Sequence, residues 1–80
     1  MTLDELKEAL RAILAIEEQG EIDWCSVEAM CHHVIEELAP KSEPEYPHDM
    51  VYRFLDDPDV RQKDTRYADR QRKRLRAWLS

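Results

Sequence analysis

Leu3, Leu6, Leu10, Ile13 and Leu14 recur at three- and four-residue intervals, the spacing of a single helical face. This predicts a helix from about Leu3 to Glu18. Thr2 and Glu5 have the spacing of a capping box, in which each side chain satisfies the other's free backbone amide. Gly20 is the expected stop, because glycine takes the left-handed conformation at little cost. Ile16 falls off the stripe. It meets a different neighbour or is exposed.

A second run, Trp24, Val27, Cys31, Val34, Ile35 and Leu38, predicts a helix over about Trp24 to Leu38, with Asp23 as N-cap. Pro40 cannot continue it. Residues 39–47 carry three prolines and read as a stiff Pro-rich connector between helices 2 and 3. A shorter helix follows from about Pro47 to Asp56, its inner face made by Pro47, Met50, Val51, Phe54 and Leu55. Asp57-Pro58 reads as an N-cap and a first-turn proline, opening a turn or two through Val60. The last helix covers about Asp64 to Leu79, with Tyr67, Ala68, Gln71, Leu75, Trp78 and Leu79 as its stripe. The fold expected is an all-α, single-domain bundle of about four helices spanning residues 1–80.

Composition sharpens this. One glycine in 80 residues, among many Leu, Ala, Glu and Arg, favours helices over sheet. The 42% apolar share supports a core, but a chain this short buries only about two-thirds of its unfolded surface. Neither half could stand alone, so the connector lies inside one domain. The N-terminus is acidic, with no basic start or apolar run of a signal peptide, and no stretch approaches a membrane span. Two cysteines so close together suggest free thiols in a reducing compartment, and hence a cytoplasmic protein.

Charge is unevenly distributed. Residues 1–59 hold sixteen Asp/Glu against four Lys/Arg, while residues 60–80 hold eight Lys/Arg against two Asp. Such asymmetry concerns partners, since opposite charges meet within the molecule, between molecules or on a polymer. On a helical wheel, Arg66, Arg70, Lys73 and Arg74 form one patch opposite the apolar stripe, flanked by Arg72 and Arg76. This patch could hold phosphates of a nucleic acid, an anionic membrane surface or an acidic protein. The plainer account is a solvated face that complements the helix dipole or faces the acidic half. The net charge of −6 argues against a dedicated nucleic-acid module.

Other chemistry is weaker. Cys25, Cys31, His32, His33 and His48 are zinc-ligand types without zinc-ligand spacing: on a helix Cys25 points nearly opposite Cys31. Glu28, His32 and Glu36 stack at successive i, i+4 positions, which reads more simply as a solvated charge ladder than as a metal face. Asp56, Asp57 and Asp59 crowd one loop but break the calcium-loop pattern at once, and capping explains them. No metal or cofactor is expected. An 80-residue bundle rarely encloses a substrate pocket, so catalysis is the least favoured class and no catalytic residue is nominated. Tyr52, Ile16 and Met30 are candidates for exposed apolar surface at an interface.

The expectation is a small helical protein that binds another macromolecule, most naturally a protein or a second copy of itself, through charge-complementary surfaces. The alternative is nucleic-acid binding by Arg66, Arg70, Lys73 and Arg74 of the last helix.

Overall fold

The computed structural model describes residues 2–38 and 46–80. They form five helices, with no strand among the described residues: α1 (Leu3–Glu17), α2 (Trp24–Leu38), α3 (His48–Asp56), α4 (Pro58–Lys63) and α5 (Thr65–Leu79). Most of the expected Pro-rich connector, residues 39–45, lies outside the described residues. The fold is the all-α bundle read from the pattern, with one helix more than the count of about four. The turn begun at Pro58 continues through Lys63 as α4.

Each of α1, α3 and α4 packs against both α2 and α5. The radius of gyration, 11.9 Å, is close to the ~12 Å expected of a folded chain of this length. Leu6, Leu10 and Ile13 of α1, Val27, Cys31 and Val34 of α2, and Val51, Phe54, Leu55, Leu75 and Leu79 belong to one buried core. Burying each large side chain contributes about 1.5–3 kcal/mol, and this drives the assembly of helices too short to persist alone.

Local signals set the helix ends. Thr2 and Glu5 form the full capping box, Thr2 N–H donating to Glu5 Oε1 at 2.8 Å and Glu5 N–H to Thr2 Oγ1 at 3.1 Å. Asp23 receives the Ser26 backbone N–H at 3.2 Å and the Ser26 hydroxyl at 2.8 Å. Those bonds hold its carboxyl below the usual aspartate range. Asp64 caps α5 by accepting from Tyr67 N–H at 3.1 Å.

Gly20 departs from expectation. Its φ is not positive, and a Cβ there would meet nothing within 4 Å. Helix α1 ends instead at Glu17, its last turn closed by the Glu18 and Gln19 amides on Leu14 and Ile16 carbonyls. The proposed exposed apolar trio also changes. Ile16, Met30 and Tyr52 are half-buried and pack against the core, whereas Val60 is the exposed large apolar residue among those described. Helix α4 shows why: it turns Val60 outward and Arg61 inward.

Among the described residues, no helix is long and apolar enough to cross a membrane.

Candidate functional site

Helix α1 ends at Glu17, with Glu18 as its C-cap, and has no basic residue in its last turn. Carboxylates at a helix C-terminus oppose the dipole, so they need cations from elsewhere. Helices α4 and α5 supply them. Arg61 Nε and Nη2 hold Glu17 Oε1 and Oε2 at 2.9 and 3.0 Å, a two-pronged pair in which neither side chain exposes any surface. Arg72 Nε adds a third bond to Glu17 Oε1 at 3.1 Å, and Arg76 pairs with Glu18.

The rest of the Arg61 guanidinium is also occupied. Its Nη1 donates to the Phe54 carbonyl and to Gln71 Oε1 at 2.9 Å, and its Nη2 approaches Cys31 Sγ at 4.0 Å. All five N–H groups therefore have acceptors, the condition under which a buried guanidinium is tolerated. The guanidinium also lies over the Phe54 ring, 3.8 Å from its centroid. One side chain thus ties together elements from all five helices. Gln71 extends the network by donating to Asp57 Oδ2 at 3.3 Å and to the Tyr67 hydroxyl at 2.9 Å. Asp57 stands at the N-cap position of α4, yet its carboxylate makes no cap bond there. It accepts from the Tyr67 hydroxyl, which pushes the phenol pKa up.

Helix α5 therefore divides its cations by face. Arg72 and Arg76 turn to α1. Arg66, Arg70, Lys73 and Arg74, the four nominated from the wheel, are exposed, and no carboxylate of the described residues lies within ion-pair distance of them. Asp69 pairs with Arg72 at 3.4 Å. Arg53 of α3, also exposed and without such a partner, extends the face. Arg53, Arg70 and Arg74 line one cleft between α3 and α5 with Met50, Tyr67 and Gln71. The sequence reading missed Arg53, a single cation beside an acidic segment, and missed the buried pair altogether.

The opposite end of α5 is fastened by α1. Arg11 Nη2 donates to the Leu79 carbonyl at 3.1 Å, and Lys7 lies 5.2 Å from the Trp78 ring centroid. Trp78 is half-buried, so the helix is docked along its whole length.

Of the remaining candidates, Cys25 is exposed and Cys31 buried. Burial pushes the Cys31 thiol up to about 11, an effect that Arg61 beside it only partly offsets. The ladder at Glu28, His32 and Glu36 does not form an ion pair. The contact made is one residue over, His33 to Glu37 at 3.9 Å on an exposed face. No group of three or more His, Cys, Asp or Glu among the described residues is placed to hold a metal ion. Met30 lines a shallow apolar groove with Ala9, Ile13, Ala29, His33 and Val34, which Ile16 and Tyr52 do not join. No family model, curated protein or solved structure matches the chain, so its own residues are the basis for reading its function.

Proposed function

We propose that this protein is a non-catalytic interaction module that binds an acidic protein partner through the outward face of α5, extended by Arg53. The observation that supports this is the pairing pattern. Arg61, Arg72 and Arg76 find carboxylates inside the molecule, while Arg53, Arg66, Arg70, Lys73 and Arg74 do not, although the chain holds 18 Asp/Glu. A rigid cationic surface on an acidic molecule attracts anionic partners locally and repels a long polyanion at distance. This favours a protein over a nucleic acid. The acidic surface of a second copy is one partner of the right chemistry.

Immobilised protein is expected to retain a discrete protein from native lysate at low salt and to release it at high salt. Retention should survive nuclease treatment and vanish in an Arg66→Glu/Lys73→Glu variant. Equal retention by that variant, or loss on nuclease treatment, overturns the reading.

A further inference from the structure

The cleft between α3 and α5 has a composition that the rest of the cationic face lacks. Arg53, Arg70 and Arg74 line a space of about 110 Å³ together with Met50, Tyr67 and Gln71. Like charges brought together by two helices repel one another, and no carboxylate of the described residues neutralises them at ion-pair distance. The volume falls below the roughly 300–1,000 Å³ of sites that enclose a whole small molecule. The cleft has room for a single side-chain-sized group, and its charge suits an anionic one. A carboxylate occupies one guanidinium in a two-pronged pair. A phosphomonoester, with three strong acceptor oxygens and a charge of about −1.5 to −2, can engage several. The cleft also continues. Met50, Arg53 and Arg74 line a second, wider depression of about 520 Å³ with Pro47, His48 and Asp49, room for the chain that flanks the anionic group.

We propose that Arg53, Arg70 and Arg74 form the seat for a phosphorylated side chain on the partner protein. This rests on the reading of the α5 face as a partner-binding surface, and it names the chemistry recognised there. The guanidiniums hold the phosphate oxygens, and the adjoining depression takes the flanking peptide.

The test is a titration followed through the arginine Nε–H signals by NMR. The probes are a phosphoserine peptide, its unphosphorylated form, its glutamate-substituted form, inorganic phosphate and a generic oligonucleotide. The phosphopeptide is expected to saturate, to shift Arg53, Arg70 and Arg74 together, and to bind about tenfold or more tightly than any other probe. Arg53→Gln and Arg74→Gln should each weaken it about tenfold, while Lys63→Gln on α4 leaves it unchanged. All these positions are exposed, so circular dichroism should show folded variants. Equal binding of the glutamate peptide, of inorganic phosphate or of the oligonucleotide overturns the proposal, as does wild-type affinity in both glutamine variants. Failure here beside intact, salt-sensitive capture of a protein removes the phosphate seat alone. Failure of both removes the partner-binding reading as well.

Discussion

Replacing Arg61 with alanine is expected to cost about 3–5 kcal/mol of folding stability, because Glu17 is left buried with too little opposing charge. The variant also loses five hydrogen-bond donors from the point where the five helices meet. Small domains hold about 5–15 kcal/mol in total, and a chain of 80 residues sits toward the low end, so Arg61→Ala should be largely unfolded at 37 °C. Glu17→Ala should be comparably damaging, since it leaves Arg61 with no compensating carboxylate. Arg66→Ala, on the exposed face, should stay within about 0.5 kcal/mol of the parent. The pair is not indispensable as such. Glu17→Leu/Arg61→Met removes both charges together and should recover most of the lost stability, because two buried ions are replaced by apolar volume. Arg72 tolerates the change, being 16% exposed and still paired with Asp69. Urea unfolding followed by helical circular dichroism checks the series. An Arg61→Ala variant within about 1 kcal/mol of wild type would show that the network is not holding the helices together.

The two thiols should differ by orders of magnitude in reactivity. Cys25 is exposed and should react with a disulfide reagent at the rate of an open thiol. Cys31 is sealed in the core beside Arg61, with its pKa raised by burial to about 11. It needs both an opening of the fold and a deprotonation that the fold opposes. If opening is global, protection is about 10³-fold or greater. A Cys25→Ala variant isolates it, and comparison of rates in buffer and in denaturant gives the protection directly. The same shift has a pH consequence. A thiol whose folded pKa lies above its unfolded value leaves stability untouched below about 9 and erodes it as pH rises from there to about 11. The raised Tyr67 phenol acts in the same direction. Alkaline unfolding should therefore set in within that window and be delayed in Cys31→Ala measured against its own neutral stability. Rapid labelling of Cys31 in the native state would contradict this picture of the core.

Helix-forming stripes carry most of the fold on their face. The α1, α2, α3 and α5 patterns are continuous, and Thr2, Asp23 and Asp64 mark the starts of α1, α2 and α5 with short-range chemistry. Helix α4 is less legible, because Pro58–Lys63 holds one aliphatic side chain, Val60, and the fold turns it outward while Arg61 fills the core. Periodicity cannot signal a six-residue helix whose buried residues are a first-turn proline and a cation. Glu17 did leave a trace. It continues the spacing Leu3, Leu6, Leu10, Ile13, a carboxylate in the phase of a buried stripe, and that conflict is the signature of an internal ion pair. Its partner is far away in sequence, so no local rule names Arg61. On the basic helix the wheel separated Arg66, Arg70, Lys73 and Arg74 from their neighbours. That Arg72 and Arg76 belong to α1, and that Arg53 joins the outer face, follow from tertiary packing alone. Gly20 shows the reverse error: a residue suited to a left-handed turn stands where the chain does not make one.

Arginine Nε–H exchange with water, measured by NMR on the free protein, bears most directly on the division of cations between an inner clamp and an outer face. Arg61 and Arg72, bonded to Glu17, should exchange slowly and keep resolved signals, while Arg53, Arg66, Arg70 and Arg74 should exchange at the rate of free guanidinium. Exchange of Arg61 as fast as that of Arg66, or protection of Arg70 and Arg74 before any partner is added, would contradict it.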